Sequence, residues 1–175
     1  DYSGSRGLGD VYKRQSDDPT DATALYEEAL SKFRGLGASR EIAQTLRLQG
    51  MSAIYNGEHL RADEYFEEAR SIFIQLDDIK GLAWCLENLA WLSFQRGELE
   101  EADQRVGKAI SLFKEINDLS GLAFAKGLLA FLMFHRGMRD EAEELARKVR
   151  DVSHERGERF GEAMMDLLLL SLIHI

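Results

Sequence analysis

Few residues in this chain have the types and spacing that chemistry needs. The histidines are scattered: His59, His135 and His154 stand far apart, with no second donor placed to share a metal ion. A metal site needs several donors converging on one point, so each is read as a surface or groove histidine. His154 falls near the end of an expected helix, where a cationic imidazole is mildly favoured. The single cysteine, Cys85, has no His or Lys beside it in sequence to stabilise a thiolate, so a buried structural thiol is expected rather than a nucleophile. One cysteine also excludes an internal disulfide and fits a reducing, cytoplasmic setting. The acidic pairs Glu27-Glu28, Glu67-Glu68, Glu100-Glu101 and Glu143-Glu144 are read as a solvated face and not as an acid–base pair. No P-loop, HExxH, GxSxG or zinc pattern occurs. The expectation is a chain that is no enzyme and carries no metal and no cofactor.

What remains is a row of large side chains. Trp84, Glu87, Trp91 and Gln95 follow at spacings of three, four and four, which places them on one side of a helix. Tryptophan is a favoured binding anchor because it brings a large apolar face and a polar N–H. The same rings could instead fill the gap between packed layers. The sequence leaves both readings open.

The elements that hold this row repeat every forty residues. Gly57, Gly97 and Gly137 share the step, as do Gly81, Gly121 and Gly161, and Ala22, Ala62, Ala102 and Ala142. Each repeat reads as two helices. In Leu82 to Arg96 the expected inner stripe is Leu82, Leu86, Leu89, Ala90, Ser93 and Phe94. From Leu99 to Ile116 it is Ala102, Val106, Ala109, Ile110 and Phe113. Gly97 is expected to stop the first helix in a left-handed conformation. The column Gly37, Asp77, Asn117 and Gly157 should stop the second, since these types best tolerate positive φ. Ser39, Asp78 and Asp118 are candidate caps for the helix that follows, and Pro19 suits a first turn. One hairpin cannot bury its apolar stripe alone, so stacked hairpins forming a solenoid are expected.

Composition agrees. The chain has 175 residues, 45% of them hydrophobic and 30% charged, which suits a folded protein and not a disordered one. A single proline favours helix. Net charge is −9 from 22 basic and 31 acidic residues, a poor match for nucleic acid or an anionic membrane. The longest apolar run, Leu167 to Ile173, falls far short of the about 20 residues of a membrane span.

The two ends read differently. Asp10 to Gln15 can be encoded as GAT GTG TAT AAG AGA CAG, whose reverse complement translates as Leu-Ser-Leu-Ile-His-Ile, the sequence of Leu170 to Ile175. The pair resembles a translated sequencing-library adaptor. Residues 1–15 and 170–175 are therefore expected to be non-native, which removes His174 from consideration and implies an internal fragment of a longer protein. The native part divides into a half repeat at 16–37, repeats at 38–77, 78–117 and 118–157, and a half repeat at 158–169. It is expected to hold eight helices.

The pattern carried by Leu86, Leu89-Ala90, Gly97, Ala102, Val106 and Ala109, and again by Leu129-Ala130, Gly137, Ala142, Ala146 and Val149, resembles the tetratricopeptide repeat. The usual proline after the second helix is absent, and each repeat is some six residues longer than the common form. The longer form is similar to repeats in large bacterial signalling proteins, including transcription regulators of the maltose-activator type. The resemblance implies an all-α, right-handed α-solenoid of antiparallel helix pairs whose first helices line a concave groove. The groove columns would be Gln44, Trp84 and Phe124; Arg47, Glu87 and Gly127; Met51, Trp91 and Phe131; and Tyr55, Gln95 and His135. It implies a module that binds a protein, peptide or small-molecule ligand in that groove, as the sensor arm of a regulator. A general assembly scaffold, or an array beside a kinase or cyclase domain, are the other readings. No contact to nucleic acid or membrane is expected. Self-association through exposed array ends is.

Overall fold

A computed structural model describes residues 19–173, and every helix in it lies where the repeat pattern places one. The helices are α1 (Pro19–Leu36), α2 (Ser39–Tyr55), α3 (His59–Gln75), α4 (Ile79–Gln95), α5 (Leu99–Glu115), α6 (Leu119–His135), α7 (Arg139–Glu155) and α8 (Arg159–Ile173). The starts of α2, α4, α6 and α8 step by forty, and so do those of α3, α5 and α7. Residues 1–18 and 174–175, with most of the adaptor-like ends, lie outside the description. Leu170 to Ile173 continue α8.

The junctions explain the regularity. Gly57, Gly97 and Gly137 sit at φ near +75° to +79°, and Asp77 and Asn117 at +50° and +54°. The next residue then donates its N–H back to a carbonyl five positions earlier, as in Glu98 to Ser93 at 2.9 Å and Asp118 to Phe113 at 2.9 Å. This closes the last turn and satisfies carbonyls that would otherwise be orphaned. Asp78 and Asp118 cap the following helices by accepting from Gly81 N–H and Gly121 N–H, each at 2.9 Å. Ser39 does not cap: α2 already begins there, Ala38 holds the cap position, and no side-chain bond is made.

Each helix packs on its sequence neighbours, and the first helices also meet one another: α2 with α4, α4 with α6, and α6 with α8. No such approach occurs between second helices among the described residues. The array therefore curves with α2, α4, α6 and α8 on its inner side.

The second helices bury one narrow stripe, as expected: Ala102, Val106, Ala109 and Phe113 in α5, and Ala62, Phe66, Ala69 and Phe73 in α3. Ile110 is only half-buried. The first helices depart from the single expected stripe. In α4 the residues Ala83, Cys85, Glu87, Asn88, Leu89, Ala90, Leu92 and Ser93 are buried, while Leu82, Leu86 and Phe94 are half-buried at the margin. The reason is packing: α4 is flanked by α3, α5, α2 and α6, so most of its circumference is covered and a one-face pattern no longer describes it. Among the described residues no helix is long and apolar enough to cross a membrane.

Candidate functional site

The inner helices enclose a cleft of ≈ 200 Å³. For scale, a cavity of about 150 Å³ accepts a benzene ring. It is lined from α2 (Arg47, Met51, Tyr55), α4 (Trp84, Glu87, Asn88, Trp91), α6 (Phe124, Gly127, Phe131) and α8 (Phe160, Met164, Met165), with Val149 of α7 behind. The helical repeat puts residues forty apart on the same level of neighbouring helices, which is why Trp84 lies beside Phe124 and Trp91 beside Phe131.

The walls are aromatic and interlocked. Trp84 meets Phe124 edge-on at 5.7 Å and Phe113 at 5.1 Å. Trp91 meets Phe131 edge-on at 6.0 Å, and Phe124 stacks on Phe160 at 6.0 Å. These are the geometries that ring quadrupoles favour. Both tryptophans are half-buried. Each packs against the core with one part of its ring and borders the cleft with another, so filling between layers and facing a ligand are roles the same ring can hold. Burial alone would raise the Asp118 carboxyl, but the bond from Gly121 N–H and the Lys80 ammonium at 3.2 Å outweigh it and hold the group below the usual range.

The polar part is a chain of three residues. Arg47 Nη1 donates to Asn88 Oδ1 at 3.1 Å, and Asn88 Nδ2 donates to Glu87 Oε2 at 2.7 Å. The Arg47 guanidinium lies over the Trp84 ring, 5.8 Å from its centroid, within cation–π range. Its Nη1 also approaches Met51 Sδ at 3.5 Å. Loss of water lowers the Arg47 pKa. Glu87 is buried, 6% exposed, and the same loss of water pushes its carboxyl up to about 7, against the opposing pull of Arg47 and the Asn88 bond. Desolvation disfavours whichever form is charged, hence the opposite directions. Cys85 is fully buried and its thiol is pushed up to about 12 by burial, the behaviour of a structural thiol.

The structure brings together Arg47, Met51, Tyr55, Trp84, Glu87, Trp91, Phe124 and Phe131 of the sequence candidates. Gln44, Gln95 and His135 are exposed and do not line the cleft. Gln95 and His135 stand in the last turn of their helices, and His135 rests its ring on Phe94 at 5.0 Å. Asn88, Phe160 and Met164 were not among the candidates. Met164 could have been found by carrying the column Gln44–Trp84–Phe124 one step further. Phe160 could not, because its column otherwise holds Arg40, Lys80 and Ser120.

The geometry defines an all-α helical-repeat solenoid with an aromatic cleft on its inner face. Residues 41–115 match the family model described as tetratricopeptide repeat. Two crystal structures of the nearly identical TPR-like repeats of a kinesin light chain from Podosopora anserina are similar to it. Each is 16% identical and covers 95% of this chain and 84% of that one, with TM-scores of 0.65 and 0.64. Identity at that level shows the fold alone. No curated protein is similar enough to match. The matched segment, less than half of the chain, resembles tetratricopeptide repeats, a class that generally mediates protein–protein interaction, and the solved structures share the helical-repeat fold.

Proposed function

We propose that the array is a non-catalytic binding module whose ligand seats in the inner-face cleft. The observation that carries this reading is the convergence of four helices on one aromatic cleft that also holds a chain from the half-buried Arg47 through Asn88 to Glu87, both buried. A cleft lined mostly by apolar and aromatic groups, with a few placed polar ones, is the usual form of a ligand site. In its parent protein we place the module as the sensor arm of a bacterial signalling or transcription regulator; the support for that context is the longer, proline-free repeat form.

The protein reports on its own cleft. Its two tryptophans both line it, so a ligand seated there must change indole emission. Candidate peptides and small molecules are titrated while emission is followed, in the parent chain and in Trp91→Ala. The expected result is an emission change and a loss of at least ~2 kcal/mol of binding in the variant, the mark of an aromatic anchor. A ligand that binds with emission unchanged, and equally well to Trp91→Ala, would place the binding surface elsewhere.

A further inference from the structure

The cleft's polar chain is unevenly satisfied. Arg47 uses Nη1 for both of its contacts, to Asn88 and Met51. Its Nε and Nη2 donors have no acceptor among the described residues, and no carboxylate forms an ion pair with it there. Those donors belong to a half-buried cation held over Trp84 at the edge of the cleft. Among the described residues Glu87 is the only acidic side chain lining the cleft. One of its oxygens accepts from Asn88; the other has no donor among the described residues. The site thus presents a permanent cation with spare donors, and an acid that can give up its charge.

These facts select among ligand heads. A cationic head would face Arg47 at close range and is disfavoured. A neutral amide would use only part of the donor set. A carboxylate matches the planar donor fork of a guanidinium. It would also replace Glu87 as the counter-charge to Arg47, provided Glu87 takes a proton, so that the buried charge still sums to zero. The volume of ≈ 200 Å³ suits one ring with a short arm, not a length of peptide chain.

We propose that the cleft is a site for a small aryl-bearing carboxylic acid, bound as its anion with the ring between Trp91, Phe124 and Phe131, the carboxylate on Nε and Nη2 of Arg47, and one proton taken from solvent onto Glu87. This rests on the reading of the cleft as the binding surface. Its groups that face Glu87 are few. From α2 comes Arg47, with the Tyr55 phenol elsewhere in the cleft lining; among the described residues α6 and α8 contribute no charged or titratable residue to that lining. On α4 itself Cys85 lies near Arg47, with Glu67 and Arg70 of α3 beyond it, and its thiol, pushed up to about 12, stays neutral through the range that matters.

The test uses three probes of one shape on the full chain: 3-phenylpropanoate, its amide 3-phenylpropanamide, and the amine 3-phenylpropylamine. Binding is followed by tryptophan emission and by calorimetry in two buffers of different protonation enthalpy. The acid is expected to bind at least about tenfold more tightly than either twin, the fold-change that one charge-assisted contact supplies. Its affinity should fall about tenfold between about pH 6 and about pH 8, as a Glu87 carboxyl titrating at about 7 loses its proton. Calorimetry should show proton uptake. Glu87→Gln should still bind the acid with the pH dependence gone, and Arg47→Gln should lose the preference for acid over amide, with both variants retaining the helical circular dichroism of the parent.

An amide that binds as well as the acid, an amine that binds better, or an affinity that rises with pH overturns the proposal. So does a peptide ending in a free phenylalanine that binds where the free acid does not. If none of the three probes binds while another ligand shifts indole emission and depends on Trp91, the acid assignment falls and the cleft reading stands. If the acid binds without touching indole emission, both fall.

Discussion

Glu87 is a carboxylic acid that the fold places out of water beside one arginine and one amide. An unfolded chain would hold it at the ordinary value near 4.5; the folded protein pushes it up to about 7. Between these values the folded state binds more protons than the unfolded one, so stability falls as pH rises through that window and is level above it. The shift corresponds to about 3 kcal/mol. Glu87→Gln keeps an oxygen for Asn88 Nδ2 and carries no charge to bury. It should therefore match the parent near pH 4.5 and exceed it above pH 7 by up to about 3 kcal/mol. Chemical denaturation across that range measures it, and a difference that does not grow with pH would show Glu87 to be well solvated. Sequence spacing put Glu87 on the same helical side as Trp84 and Trp91. It could not show the burial, because burial comes from α2 and α6 closing over that side. The same holds for Asn88, whose role exists only through Arg47, forty-one residues away in the chain.

At the scale of the helix, the stops and starts were legible and the packing less so. Glycine, Asp and Asn in the stop columns mark positive φ by their chemistry alone, and all of those described adopt it. The glycines at 81 and 121 answer to a different constraint. A Cβ on Gly121 would stand 2.2 Å from the Phe113 ring, and one on Gly81 would stand 2.2 Å from Phe73. Both rings are buried and belong to the end of the preceding helix, so the fold needs the absence of a side chain there. Gly107 lies in the middle of α5 with nothing within 4 Å of an added Cβ. Alanine should therefore act oppositely at the two sites. Gly121→Ala is expected to destabilise by about 1–3 kcal/mol through overpacking, despite alanine's better helix propensity. Gly107→Ala should stabilise by about 0.5–1 kcal/mol. Thermal melts of the two variants decide it, and equal shifts in either direction would contradict the packing argument. The buried set of α4 departs from the expected inner stripe for a related reason. A helix sandwiched on several sides buries Cys85 and Leu92 as readily as Leu89, and periodicity reports only one-sided burial.

Among the described residues, contacts between helices run only between those that are neighbours or next-but-one in the chain. Periodic ion pairs follow the same rule: Arg40–Asp78 and Lys80–Asp118 at 3.0 and 3.2 Å, and Arg96–Asp63 and Arg136–Asp103 at 3.7 and 3.2 Å. Each pair keeps one partner open to solvent, and solvent-screened pairs of this kind are each worth about 0–1 kcal/mol, so cohesion rests on the apolar layers. Stability in an array of this kind varies along its length. Among the described residues α4 is held by α2, α3, α5 and α6, whereas α8 is held by α6 and α7. Amide hydrogen exchange should be slowest in α4 and in α6, which is likewise held by four helices, and clearly faster in α8; equal protection would mean that the array opens as one unit. The cleft reaches from Arg47 to Met165, so it depends on that less protected helix for the wall formed by Phe160 and Met164. The recurrence of helix starts at one fixed step has a consequence at the level of the gene. An in-frame loss or duplication of one forty-codon unit joins like to like, leaving every cap, stop and interhelical glycine in phase. Length can thus be inherited as a variable separate from fold, while the cleft, which draws on four successive inner helices, survives only in descendants that keep them all.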